Sequence, residues 1–214
     1  LLDQSTSQPP SLSSVVAPGT SGAPLELVFL SPEIAGSVPR EELAGGRVVI
    51  LDAGRDALEQ VGAALQANPG AAVVRLISHG QAGRLTLAGQ ALTGDNLLLH
   101  ADAIAGWRQF LAPGADILLY GCSVAATPEG RSFVDSLAAL SGADVAASTN
   151  PTGSAALGGD LSFEYASGSI EAAPNRLSQA WDQSGLLLAA PVFSSSATAT
   201  FTSTLSGSFT PVAS

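Results

Sequence analysis

The sequence predicts an α/β fold with a mostly parallel sheet and helices on both of its faces. Short apolar runs alternate with amphipathic segments along residues 25–148, and this alternation is typical of parallel strands joined by helical crossovers. The run at residues 72–78 (AVVRLIS) is apolar at nearly every position, as expected for a strand covered on both sides. After Asn150 shorter alternating stretches at 161–165 and 169–171 predict an antiparallel hairpin at the C-terminal edge of the sheet.

Turn signals separate the predicted elements. Pro69-Gly70 ends the first helix, Pro113-Gly114 ends the second, and Gly142 ends the third. The predicted strands cover residues 25–30, 47–51, 72–78, 116–120 and 144–148, the predicted helices 57–67, 95–111 and 128–141, and a small hairpin 84–92. Strand and helix therefore alternate in the order that a parallel sheet requires.

The termini differ in composition from this central region. Residues 1–24 are rich in Ser, Pro and Gly and predict a flexible lead-in. Residues 25–172 form the predicted domain, and residues 173–214 predict a linker or the start of a following module. The chain contains no methionine, so we expect it to be a piece of a longer protein.

The composition argues against several function classes. The chain carries 8 basic and 18 acidic residues, for a net charge of −10, and therefore lacks the clustered cations that bind nucleic acid or anionic lipid. No apolar run reaches the roughly 18 residues of a membrane span, so we expect no membrane insertion. Two histidines and one cysteine without ligand spacing predict no metal site, and without a glycine-rich phosphate loop we expect no cofactor.

Two chemically capable residues follow two of the predicted core strands. His79 follows the third strand and Cys122, the only cysteine, follows the fourth, so both fall on the carboxyl edge of the sheet, where ligands bind in such folds. If those strands are neighbours, their ends lie about 5 Å apart, and the imidazole can accept the thiol proton. The helix start after Cys122 favours a thiolate. The backbone N–H groups of Gly80 and Cys122 are candidates for an oxyanion hole.

The order of the two residues separates peptidase classes. In α/β-hydrolases and class I amidotransferases the nucleophile precedes the histidine in the chain and lies in a G-x-[SC]-x-G turn. Residues 119–124 (LYGCSV) do not match that turn, and here the histidine comes first. Histidine-glycine after one strand and cysteine after the next resembles the caspase-like cysteine peptidases. That resemblance implies a caspase-like three-layer sandwich, with Cys122 as the nucleophile and His79 as the general base or ion-pair partner.

A longer resemblance covers residues 25 to about 172. The matching phrases are residues 49–56 (VILDAGRD), 76–80 (LISHG), 116–122 (DILLYGC), 143–149 (ADVAAST) and 157–160 (LGGD). They resemble a domain of unknown function that occurs near the N-termini of very large bacterial surface adhesins and of cadherin-like or haemolysin-type calcium-binding proteins. The resemblance implies a secreted or cell-surface setting in bacteria and brings no established activity.

Each candidate residue also has a structural interpretation. Cys122 could be a small buried apolar residue, although its position after a strand, between Gly121 and Ser123, argues against deep burial. Asp52 could line a substrate pocket or orient His79, but capping and first-turn charge explain it and Asp56 more simply. Asp144 and Asp160 could line a pocket or serve as turn and strand-start residues. We expect His100 to be a surface or packing residue.

These observations lead to two hypotheses. The first is a cysteine endopeptidase domain that processes its own polypeptide chain or another protein, with cleavage near Leu188 and Ala189 in the apolar stretch after the domain. The second is a catalytically inactive N-terminal module of a giant adhesin that serves retention, secretion or folding. The sequence leaves the oligomeric state and the residue preference at the cleavage site open.

Overall fold

The computed structural model describes residues 23–38, 43 and 45–172 of the 214-residue chain. The predicted C-terminal linker, the cleavage region at Leu188 and Ala189, and all but the last two residues of the predicted lead-in lie outside the described residues. In chain order the elements are β1 (Glu26–Leu30), β2 (Arg47–Ile50), α1 (Ala57–Gln66), β3 (Ala71–Ile77), β4 (His79–Gln81), β5 (Arg84–Leu87), β6 (Gln90–Thr93), α2 (Gly94–Leu97), α3 (Ala101–Trp107), β7 (Leu111–Tyr120), α4 (Pro128–Ser141), β8 (Asp144–Ala147) and β9 (Tyr165–Ser167).

Six strands form the central sheet in the order β2-β1-β3-β7-β8-β9. All neighbouring strands are parallel except β8 and β9, which pair antiparallel at the edge. A second, three-stranded antiparallel sheet contains β4, β5 and β6. The prediction of a mostly parallel sheet flanked by helices, with an antiparallel hairpin, is confirmed.

The two faces of the central sheet carry separate apolar cores. The helix-side core joins the sheet to α1, α3 and α4, through residues that include Val61, Leu65, Ile104, Trp107, Phe133 and Leu137. The loop-side core contains Val28, Leu30, Ile34, Val38, Leu43, Val73, Ile77, Leu118, Tyr120, Cys122 and Ala146. Partly buried side chains from residues 161–172 pack against the loop-side core. Cys122 thus extends the apolar row of β7 on the loop side.

The ends of α1 and α4 follow the capping signals in the sequence. Asp56 accepts a hydrogen bond of 2.9 Å from the backbone N–H of Glu59 at the start of α1, as an N-cap residue does. Thr127 caps α4 in the same way, directly before Pro128. Gly142 ends α4 with φ of 71°, a left-handed conformation that glycine adopts without steric cost.

The predicted helix at residues 95–111 is shorter and begins earlier than expected. Thr93 caps α2, a 3₁₀ turn follows at Leu98–His100, and α3 ends at Trp107. Leu98 and Leu99 are 73% and 82% exposed, so these apolar residues contributed to a helical period without belonging to a buried face. The apolar pattern therefore overstated the continuity of this helix.

The boundaries of two strands also differ from the prediction. β7 already pairs with β3 at Leu111, and the register then shifts around Pro113 and Gly114 before pairing resumes at Asp116, the predicted start. At the C-terminal edge only Tyr165 of the predicted strand 161–165 belongs to β9. The alternation there reflects packing, since Leu161 and Phe163 contact the loop-side core.

Candidate functional site

The ends of β3 and β7 bring the segments of His79 and Cys122 to one edge of the sheet. β3 and β7 are parallel neighbours, with Ile77 opposite Tyr120. The backbone N–H of Ser78 continues the ladder by donating to the carbonyl of Tyr120 at 2.9 Å. The condition that the sequence argument depended on, adjacency of the third and fourth core strands, is therefore met.

Two glycines allow these segments to contact each other directly. A Cβ atom added at Gly80 would lie 2.7 Å from the carbonyl carbon of Gly121 and 2.8 Å from the backbone nitrogen of Cys122. A Cβ atom added at Gly121 would lie 3.2 Å from the Cα atom of Gly80. No side chain fits between the two backbones, so the segment after His79 and the segment that carries Cys122 form one packed unit.

His79 begins β4 and is half-buried. It lies opposite Thr86 in the small antiparallel sheet. Its Nδ1 atom is buried and has no hydrogen-bond partner among the described residues. Buried polar atoms almost always have a hydrogen-bond partner. The nitrogen of His79 therefore needs an explanation, and a catalytic role would supply one.

Two serines that the sequence reasoning missed fix the position of the segment before His79. The hydroxyls of Ser31 and Ser78 are 2.7 Å apart and buried, and the Ser78 hydroxyl also donates to the carbonyl of Thr86. Ser31 Oγ in turn accepts from the backbone N–H of Ala88 at 2.9 Å. These bonds join β1, β3 and the small sheet at the carboxyl edge. Nothing in the local pattern around Ser31, apart from its place at a strand end, indicated this role.

Cys122 is fully buried, with 0% of its surface exposed. The expectation that its position would keep it from deep burial is wrong. Its Sγ atom accepts a hydrogen bond of 3.1 Å from the backbone N–H of Thr152 and lies 3.5 Å from the Thr152 carbonyl oxygen. A segment that follows β8 therefore covers the thiol.

The covering loop, residues 148–160, attaches to the Cys122 segment through its backbone. Ser123 has φ of 58°, and its N–H donates to the carbonyl of Asn150 at 2.8 Å. The N–H of Ala125 donates to the carbonyl of Ser148 at 2.9 Å. A left-handed serine is uncommon, and here it accompanies the turn that directs the chain after Cys122 beneath the covering loop.

Two carboxylates, one within the covering loop and one after it, stabilise the loop. Asp160 accepts from Asn150 Nδ2 at 2.8 Å, and the backbones of residues 151–153 and 160 are bonded to each other. Glu164 accepts from the backbone N–H of Thr149 at 2.8 Å and from the hydroxyl of Ser148 at 3.2 Å. Asp160, predicted as a pocket residue, thus belongs to the loop that covers Cys122, and Glu164 was missed.

The other predicted site carboxylates lie away from Cys122. Asp52 follows β2, which β1 and β3 separate from β7, a distance of about 14 Å at normal strand spacing. Its Oδ1 atom accepts from the N–H of Gly54 at 2.8 Å, a turn interaction. Asp144 starts β8 opposite Asp116, at the other end of the sheet and about 20 Å from Cys122 by strand rise.

Among the described residues, no helix has the length and apolar content needed to cross a membrane. The model of the family described as "Domain of unknown function (DUF4347)" matches residues 28–186, which is more than half of the chain and extends beyond the predicted domain end at residue 172. The search of curated proteins found no match.

Proposed function

The chain belongs to the DUF4347 family, whose description names no activity, and from the site itself we propose that it is a cysteine endopeptidase domain of the caspase-like kind. Cys122 is the nucleophile and His79 is the general base. The observation that carries the proposal is the contact between the Gly80 and Gly121 backbones, which brings the two chain segments together at the carboxyl edge of the sheet. The Nδ1 atom of His79, which has no hydrogen-bond partner in the described part of the chain, supports it.

The proposed reaction needs only groups at this edge. His79 accepts the thiol proton of Cys122, and the thiolate attacks the scissile carbonyl carbon. The N–H groups of Gly80 and Cys122 stabilise the oxyanion. The amine leaves with the proton held by His79, and a thioester forms at Cys122. Water then attacks the thioester, gives up a proton to His79, and releases the acid and the thiol.

Substrate access requires the covering loop to move. Because the Sγ atom of Cys122 is buried and bonded to Thr152, the described conformation is a closed one. Opening breaks the hydrogen bonds of the loop to Glu164, to the thiol, and to the backbones of Ser123 and Ala125, each of which contributes on the order of 1–3 kcal/mol. The proposal requires that this open form is populated, because the open form is the one that binds a peptide.

The substrate in this proposal is the parent polypeptide of the domain or another protein, in a secreted or cell-surface setting. This setting rests on the resemblance to the N-terminal regions of large bacterial adhesins. The stretch around Leu188 and Ala189 remains the proposed cleavage region. Because this stretch follows the domain in the same chain, the parent polypeptide is the first substrate to test.

Measuring thiol alkylation as a function of pH tests the catalytic pair. We expect the Cys122 thiol to ionise at least about one pH unit below the ordinary value of about 8.5, because a protonated imidazole favours the thiolate. His79→Ala should return the midpoint to about 8.5, and His100→Ala, the matched control, should leave it low. The informative quantity is the difference between the two histidine variants, because burial of the thiol in the closed form shifts the midpoint of every variant in the same direction.

The burial of Cys122 also favours a second candidate function, a non-enzymatic module of a larger surface protein. In that case the thiol contributes only to packing in the loop-side core, to which it belongs. The alkylation midpoint would then be ordinary in the unmodified chain and equal in both histidine variants. That outcome would replace the peptidase proposal by the structural one.

A further inference from the structure

Three carboxylates meet at the end of the sheet opposite Cys122. Asp116 on β7 pairs in register with Asp144 on β8, and Glu171 follows β9. One carboxylate oxygen from each residue lies within 4.8 Å of the others. The register of the sheet and the return of the chain after β9 bring these residues together from distant positions in the sequence.

The carboxylate of Asp116 has an environment that favours a ligand. Asp116 is only 2% exposed. Its Oδ2 atom accepts from the backbone N–H groups of Glu171 and Ala172 at 3.1 and 2.7 Å, whereas its Oδ1 atom is buried and has no hydrogen-bond partner among the described residues. A buried oxygen without a partner is costly, and a cation would supply the missing interaction.

Within the described part of the chain, none of the three carboxylates forms an ion pair with a basic side chain. Burial raises the pKa of the Asp116 carboxyl, and the neighbouring Glu171 and Asp144 carboxylates raise the pKa further. The one ion pair described there, Arg75 with Glu26, does not involve the cluster. Three mutually repelling carboxylates favour either a proton or a bound cation, and a divalent ion relieves the repulsion among all three.

The ligand set favours calcium over magnesium. The three carboxylate oxygens all lie within 4.8 Å of one another, which ligands around one ion at about 2.3–2.6 Å can satisfy. Magnesium usually keeps several waters and takes only one or two protein carboxylates, whereas calcium accepts several protein carboxylates in a flexible geometry. Gly168, with φ of 108°, lies so close to Asp144 that a Cβ atom there would collide with its carboxylate. The backbone at Gly168 therefore packs directly against the Asp144 side chain of the cluster.

We propose that Asp116, Asp144 and Glu171 bind one calcium ion that fastens the segment after β9 to the amino ends of β7 and β8. The sequence predicted no metal site because that prediction considered the spacing of histidine and cysteine. The ion is a structural one, far from Cys122, and this inference does not depend on the proposed peptidase activity.

Calorimetric titration of calcium chloride into the full chain, stripped of metal by a chelator, tests the site. The Cys122→Ala variant serves as the parent so that self-cleavage cannot alter the sample. We expect one calcium ion per chain, with a dissociation constant on the order of 10⁻⁶–10⁻³ M, and weaker binding of magnesium. Glu171→Gln and Asp144→Asn should each weaken calcium binding at least about tenfold, since each removes a ligand charge.

Asp102→Asn is the matched control, because Asp102 is an exposed acidic residue on α3 outside the cluster. It should bind calcium as the parent does. Thermal unfolding measured at increasing calcium concentrations should show a rise in the unfolding midpoint for the parent and the control only. Absence of binding heat, equal binding by all variants, or tighter binding of magnesium would overturn the proposal.

Discussion

Replacing Arg75 by methionine is expected to lower the free energy of unfolding by about 3–5 kcal/mol, the usual cost of removing one partner of a buried ion pair. Arg75 is 3% exposed, and its Nε atom lies 2.8 Å from Oε1 of Glu26. Its Nη1 atom donates to the hydroxyl of Tyr120 at 2.6 Å. Burial raises the pKa of Tyr120 to about 12, so this hydroxyl stays protonated and accepts the bond as a neutral group at physiological pH.

The loss should propagate toward the site because Tyr120 lies two residues before Cys122 and contacts Phe163, with ring centroids 4.8 Å apart. Urea denaturation of the unmodified chain, of Arg75→Met, of Glu26→Gln and of the double variant measures the effect as a double-mutant cycle. The double variant should be more stable than Arg75→Met alone, because the uncompensated carboxylate is removed. An Arg75→Met variant whose free energy of unfolding lies within about 1 kcal/mol of that of the unmodified chain would contradict the assigned role of Arg75.

Gly80→Ala is expected to cost about 3 kcal/mol of unfolding free energy and to reduce the reactivity of Cys122. The added Cβ atom would meet the backbones of Gly121 and Cys122 at 2.7–2.8 Å, and backbone atoms cannot move aside as a flexible side chain can. Separating the two segments moves His79 away from Cys122. We therefore expect the alkylation midpoint of the thiol to rise in whatever fraction of the variant remains folded.

Gly106→Ala is the control for this substitution. Gly106 lies in α3, and a Cβ atom there would meet nothing within 4 Å. Alanine should stabilise the helix by up to about 1 kcal/mol, and the alkylation midpoint should stay that of the unmodified chain. Chemical denaturation and the alkylation profile, measured on both variants, check the pair. Equal stabilities of Gly80→Ala and the unmodified chain would argue against the backbone contact.

The sequence was informative about the sheet because its strands are buried. The apolar runs that end at His79 and Cys122 predicted two strands with a common edge, and β3 and β7 are indeed neighbours. The helix predicted at residues 95–111 was wrong in its extent because Leu98 and Leu99 are apolar but exposed. Periodicity records which residues are apolar, and it does not record which of them are buried.

The surroundings of Cys122 and Asp116 depend on contacts between distant parts of the chain. No local pattern indicated that Thr152 would return to bond the thiol. The partners of Asp116 likewise come from Asp144 and Glu171, which only strand register and the path after β9 bring near. Residue types and strand ends identified the candidate residues. Only the fold showed that Asp160 lies in the loop that covers Cys122, whereas Asp52 and Asp144 lie away from the thiol.

The intact mass of the chain is the most direct measure of the central claim that His79 and Cys122 cut a polypeptide. The unmodified chain, incubated at neutral pH under reducing conditions and with calcium present, should lose a C-terminal piece with time. Cys122→Ala and His79→Ala should keep their full mass, while His100→Ala should be cut like the unmodified chain. A product that also forms in Cys122→Ala, or full mass for every variant across pH and calcium concentration, would contradict self-processing by this pair.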